Sequence, residues 1–159
     1  MAVGKDLRAR SRAPMLGMAG VTLAADQISK ALAVAALGEG ERADVLGRFF
    51  GFRLVRNSGG VFGILQESPI FFLLASVAIV AALIAWAWRS GVSSPALGLV
   101  LGGGLGNIVD RLVRPPGPLR GSVVDFVDFS FWPTFNVADS AIVVGVGLLV
   151  FSALRPARP

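Results

Sequence analysis

The chain has 159 residues and 16.5 kDa, 54% hydrophobic against 16% charged, with a mean hydropathy of +0.71; that balance excludes an ordinary water-soluble globule. It contains no Cys, His or Tyr, which removes thiol nucleophiles, Ser-His-Asp triads, the usual zinc sites and disulfides. The formal charge of +5 is scattered among apolar stretches or gathered at the termini, without the aromatic-interleaved patch of a nucleic-acid surface, so no nucleic-acid partner is expected.

The first apolar stretch, Pro14 to Ala36, follows Lys5, Arg8, Arg10 and Arg12. It has the flank of a signal peptide, but its length, its Asp26 and Lys30, and the lack of a small-residue cleavage site make it a retained helix. Next, Phe50, Phe52 and Leu54 alternate with small or charged residues as far as Arg56, the period-two pattern of a strand with one greasy face. Asn57-Ser58-Gly59-Gly60 reads as a tight turn into Val61 to Leu65, and a hairpin on the membrane surface fits, since open sheet edges are not tolerated in lipid. Pro69 to Trp88 and Pro95 to Val113 form the second and third spans, joined through Gly91, Ser93 and Ser94. Asn136 to Leu154 is the fourth. Each suffices for a hydrocarbon core of about 30 Å, which takes about 20 helical residues. The expectation is an all-α membrane protein, a single integral-membrane domain over 1–159. It has four transmembrane helices (14–36, 69–88, 95–113, 136–154), outer loops at 37–68 and 114–135, and a small extracytoplasmic β hairpin or cradle.

Lys/Arg placement sets the orientation. Residues 1–13, 89–94 and 155–159 hold seven Lys/Arg in 24 positions, against six in the 54 positions of 37–68 and 114–135. Density, and the four charges before the first span, favour cytoplasmic termini. Running the spans accordingly places Lys30, Asn107, Asp110, Arg111, Asn136 and Asp139 in the outer halves of their helices, with Asp26 near mid-depth. The outer loops add Asn57, Asp125 and Asp128 at the same level. The second span contributes none.

An ionisable side chain inside a span costs at least about 2.5 kcal/mol at the bilayer centre, so each of these needs a reason. Asp26 and Lys30, four apart, can neutralise each other. Asp110 beside Arg111 reads as an interfacial pair, with Asn107 bonded to a neighbouring helix. Gly102-Gly103-Gly104 with Gly106, and Gly145 with Gly147, suit close helix packing better than a phosphate cradle, because no Lys-Ser/Thr pair follows. Asn136 fits the N-cap of the last helix better than Asp139 does, which leaves Asp139 without a full structural account. Asp125, between Val124 and Phe126, is an acid in apolar company. Two carboxylates in a half-dry pocket cannot both ionise cheaply, so one keeps its proton near neutral pH. The ionised member can then take a proton from water while the other polarises a carbonyl, which is enough for peptide hydrolysis without His or metal. From composition alone an aspartic dyad is one of several assignments.

Taken in order, the polar segments resemble lipoprotein signal peptidase (signal peptidase II). Asp26-Gln27-Ile28-Ser29-Lys30 is similar to its D-Q-x-x-K motif, Asn57-Ser58-Gly59-Gly60-Val61-Phe62 to N-x-G-x-x-F, and Gly106-Asn107-Ile108-Val109-Asp110-Arg111 to G-N-x-x-D-R. Val123-Val124-Asp125-Phe126 and Phe135-Asn136-Val137-Ala138-Asp139-Ser140 are similar to the two segments bearing the family's catalytic aspartates. Gly60 and Val61 stand where small residues such as Ala are usual. The resemblance implies that Asp125 and Asp139 are the catalytic dyad, that Asn57, Gly59, Asn107, Arg111 and Asn136 line the site and orient substrate or dyad, and that Asp26, Lys30 and Asp110 hold the helices in register. It implies no metal or other cofactor. The substrate implied is a prolipoprotein with a diacylglyceryl-modified Cys, cut just before that Cys by a monomeric enzyme surrounded by membrane lipid. The setting implied is the bacterial inner membrane, with the site at the outer leaflet. Spacing also leaves Asp128 as a dyad partner, although a solvated loop role is expected. Two rival functions follow from the same acids. One is a metal-dependent lipid phosphotransferase or phosphatase built on Asp125, Asp128 and Asp139, and the other a small proton or solute transporter subunit.

Overall fold

A computed structural model describes residues 11–59 and 69–155. Four helices run in chain order: α1 (Ala13–Ala36), α2 (Pro69–Ser90), α3 (Pro95–Val113) and α4 (Val137–Leu154). The last three are long and apolar enough to cross a membrane. At 24 residues α1 is longer, but Asp26, Gln27 and Lys30 lower its apolarity. Local chemistry sets the helix starts. Pro95 opens α3, and the Ser94 hydroxyl accepts from the Leu97 amide at 3.2 Å. Asn136 caps α4 in a capping box, its side chain accepting from the Asp139 amide while the Asp139 carboxylate accepts from the Asn136 amide.

The helix α3 packs against each of the other three, and its glycines explain why. A Cβ at Gly102 would lie 2.5 Å from the Ala19 carbonyl oxygen of α1, and one at Gly103 2.5 Å from the Ala138 carbonyl oxygen of α4. Backbones approach here as closely as small residues permit. Gly145 likewise faces the Ala96 carbonyl, but a Cβ at Gly147 would meet open space, so the expected packing role of Gly147 does not hold. Towards the α2–α3 turn the interior is apolar, built from residues such as Met15, Val80, Ala87, Leu97 and Leu101.

Outside the helices lies more than a hairpin. Strands β1 (Arg42–Leu46), β2 (Phe50–Asn57), β3 (Val123–Phe129) and β4 (Trp132–Phe135) form one antiparallel sheet in the order β1-β2-β3-β4. The expected strand after Asn57, Val61 to Leu65, lies outside the described residues, as do Gly60 and Phe62. The partners of β2 are β1 and, from the segment between α3 and α4, β3. This corrects the hairpin and the all-α class: long-range pairing between two loops cannot be read from local periodicity. Leu54, Val124 and Phe126 pack on Ala33 of α1, so the sheet sits against the bundle. Val55 pairs with Asp125 and Asn57 with Val123, which puts Asn57 and Asp125 on one sheet face, diagonal to each other.

Candidate active site

Two clusters of polar side chains adjoin where the sheet meets α1, α3 and α4. The inner cluster centres on Lys30. Its ammonium donates to Asp26 Oδ2 at 2.8 Å, Asp110 Oδ2 at 2.9 Å and Asn107 Oδ1 at 2.9 Å, so three protons meet three acceptors. Lys30, Asp26 and Asp110 are fully buried. Arg114 adds a second cation, with Nε 2.6 Å from Asp110 Oδ1, and the two acids are balanced by two bases. Their remaining lone pairs are also used. Asp26 Oδ1 accepts from the Ala138 amide at 2.9 Å, and Asp110 Oδ2 from the Val124 amide at 3.1 Å. Ala138 precedes Asp139 and Val124 precedes Asp125, so each inner acid fixes the backbone one residue ahead of an outer acid.

The outer cluster holds Asp125 and Asp139, with amides where the inner one has cations. Asp125 accepts from Asn57 Nδ2 at 3.0 Å and from Asn136 Nδ2 at 2.6 Å. Asp139 accepts from Asn107 Nδ2 at 2.9 Å and from the Asn136 backbone amide at 3.3 Å. The amide orientations follow from what binds their oxygens. Lys30 donates to Asn107 Oδ1, which turns the Asn107 NH₂ towards Asp139. The Gly59 amide donates to Asn57 Oδ1 at 3.0 Å, which turns the Asn57 NH₂ towards Asp125. Gly59 has φ +150, and a Cβ there would run into the Phe72 ring, so only glycine fits this turn without strain. Burial, and next the Asp139 charge, push the Asp125 carboxyl up to about 7, against the opposing Asn57 and Asn136 hydrogen bonds and the Lys30 charge.

Several residues stand elsewhere than the sequence suggests. Asp110 pairs with Lys30 and Arg114, not with its neighbour Arg111. Arg111 donates to the Ser58 carbonyl at 3.1 Å and lies over the Phe72 ring, holding the loop that carries Asn57 and Gly59. Asp139 does have a structural role in the α4 capping box, beyond its place beside Asn107. Asp128 is not a solvated loop acid. It is 4% exposed within β3 and paired with Arg42 at 2.7 Å and Arg53 at 3.0 Å, and it accepts from the Thr134 hydroxyl. Its oxygens are therefore spent on these partners, which removes the geometric basis for a phosphotransferase site joining it to Asp125 and Asp139.

Sequence reasoning gave Gln27 no role. Its Nε2 lies 3.1 Å from Asp26 Oδ2, 3.1 Å from the Gly106 carbonyl and 3.2 Å from Asp110 Oδ1, bridging α1 to α3. Its place between Asp26 and Lys30 in a span was the available signal. Arg42, Arg53 and Arg114 went unassigned because nothing local shows which acid a loop arginine meets.

The chain as a whole is similar to known proteins. The profile of the family described as Signal peptidase (SPase) II matches residues 18–155. The lipoprotein signal peptidase of Rhodococcus jostii (strain RHA1) is 44% identical over 144 residues, covering 89% of this chain and 73% of the relative. That of Mycobacterium leprae (strain Br4923) is 42% identical over 139 residues, covering 86% and 69%. A solved bacterial membrane enzyme superposes with a TM-score of 0.76 at 28% identity, over 88% of this chain and 87% of its own.

Proposed function

The chain belongs to the signal peptidase II family, and on that premise we propose that it is an aspartic endopeptidase that removes the signal peptide from diacylglyceryl-modified prolipoproteins, with Asp125 and Asp139 as its catalytic residues. The observation that carries the reading is the outer cluster: two carboxylates, from β3 and the first turn of α4, held by Asn57, Asn107 and Asn136, with no cation among the described residues bonded to either.

One proton is shared by the pair, with the Asp125 carboxyl pushed up to about 7 by burial and by the neighbouring Asp139. The ionised carboxylate takes a proton from water as the water oxygen attacks the carbonyl carbon before the lipidated Cys. The protonated carboxyl donates to the carbonyl oxygen. On collapse of the tetrahedral intermediate a proton passes to the Cys nitrogen, the C–N bond breaks, and the signal peptide leaves with a new carboxylate. Asn57, Gly59, Asn107, Arg111 and Asn136 orient the dyad and the substrate. Asp26, Lys30 and Asp110 keep the helices in register.

The setting belongs to the same proposal. All four helices cross the bacterial inner membrane in one integral-membrane domain. In α1 the polar cost is met by the Lys30 ion pairs. The termini are cytoplasmic and the site stands at the outer leaflet, where the diacylglyceryl group holds the scissile bond. Exposed Phe49, Phe131 and Trp132 rest the sheet on the headgroups as a cradle over the substrate. The enzyme acts as a monomer among membrane lipids. The test uses purified protein and one precursor peptide with and without the diacylglyceryl group. Cleavage before the Cys is expected only with the lipid and unchanged after chelation; full cleavage by Asp125→Asn would overturn the assignment.

A further inference from the structure

At the opposite end of the bundle from the aspartates, the start of α1, the α2–α3 turn and the end of α4 enclose an open groove of about 1240 Å³. That exceeds the roughly 300–1,000 Å³ of sites for drug-sized molecules, so a headgroup with its glycerol fits. Its depth follows from α3, whose first residue adjoins the groove and whose last turn carries Asp110 and Arg111. The 19 residues of α3 at about 1.5 Å each separate the two ends by about 28 Å, close to the hydrocarbon thickness of about 30 Å. When the aspartates stand at one layer of headgroups, the groove stands at the other.

Its lining has two characters. Arg12 and Arg89 supply guanidinium groups, Trp86 and Trp88 amphipathic rings, and Leu149 and Val150 an apolar wall; no acid is among the described residues that line it. The Arg12 guanidinium lies 4.2 Å from the Trp88 ring centroid, which orients the cation without neutralising it. Trp86 and Trp88 remain 48% and 50% exposed, leaving ring surface for a ligand. The Ser93 hydroxyl donates to the Ser11 carbonyl at 3.2 Å, tying the α1 entry to the α2–α3 turn, so the groove is shaped by the protein itself. Arginines that merely snorkel need only reach water.

We propose that this groove binds the headgroup of one anionic phospholipid from the leaflet opposite the aspartates, with the phosphate between Arg12 and Arg89 and the chains along Trp86, Leu149 and Val150. Guanidinium forks match phosphate oxygens, and the apolar wall has no use for a free phosphate ion. Two arginines also favour a net anionic lipid over a zwitterionic one of the same chains.

The test is native mass spectrometry of the full chain released from nanodiscs containing equal phosphatidylglycerol and phosphatidylcholine of matched chains. The expected result is one retained phosphatidylglycerol, preferred about tenfold, and not displaced by millimolar inorganic phosphate. Arg12→Gln with Arg89→Gln should bring the two lipids to parity, while Arg155→Gln, which sits over Phe151 outside the groove, should leave the preference intact. Arg89→Gln alone, at an exposed position, should move it in the same direction and serves if the pair does not fold. Equal retention of both lipids by the wild type, an unchanged preference in the groove variants, or an equal loss in Arg155→Gln would overturn the site. Precursor cleavage measured on the same samples reports on the peptidase separately, since none of these residues adjoins Asp125 or Asp139.

Discussion

The inner and outer clusters each hold two aspartates, yet they are different objects. Asp26 and Asp110 share the Lys30 ammonium and are sealed from solvent, with backbone amides taking their spare lone pairs. Asp125 and Asp139 are approached by amide NH₂ groups, which orient a carboxylate without cancelling its charge. What sets the two pairs apart among the described residues is the bonded cation, more than depth: Lys30 and Arg114 serve the inner acids, and amides the outer ones. The two clusters are also joined, because Lys30 sets the Asn107 amide and the inner acids hold the backbone at Ala138 and Val124.

The largest effect should come from the outer pair. Asp125→Asn or Asp139→Asn is expected to lower kcat for a lipidated precursor by about 10²–10⁴-fold or more, with the protein still folded by circular dichroism. Breaking the inner cluster should read out as stability. Lys30→Met leaves two buried carboxylates short of a cation and should cost about 3–5 kcal/mol, measured by unfolding in mixed micelles. Asn136→Ala sharpens the contrast, because it removes both an N-cap and an Asp125 donor. We expect about 1 kcal/mol of stability lost and a kcat reduced by up to about 100-fold through misplacement of Asp125, with KM nearly unchanged. Asp128→Asn should have the smallest effect: cleavage persists within a few-fold, because Asp128 serves Arg42 and Arg53.

Much of this was legible in the sequence, for identifiable reasons. Helices of 18 to 24 residues leave long apolar runs, and polar residues inside such runs are conspicuous by their cost. That drew notice to Asp26, Lys30, Asn107, Asp110 and Asp139. What stayed hidden was partner choice across distant segments. Asp110 looks paired with Arg111 along the chain, yet a helix turns adjacent side chains apart, and Lys30, far off in sequence, takes the site. Strand β3 contains Val124, Asp125 and Phe126, which read locally as an acid among greasy neighbours, while its pairing with β2 depends on two loops meeting. The burial of Asp128 is of the same kind, since its arginines come from β1 and β2.

The central claim, that Asp125 and Asp139 share one proton, is tested most directly by following carbon-13 aspartate carboxyl signals against pH in the purified protein. One signal should titrate at about 7, disappear in Asp125→Asn, and move to lower pH in Asp139→Asn once the neighbouring charge is gone. The sign extends to stability. A folded value above the ordinary carboxylate range means that the fold holds a proton the unfolded chain releases, so stability is fullest below about 4 and declines as pH rises towards 7. Asp125→Asn should lose that slope. Carboxyl signals that all titrate at or below about 4, with Asp125 indifferent to the loss of Asp139, would contradict the shared proton and the water-activating role built on it.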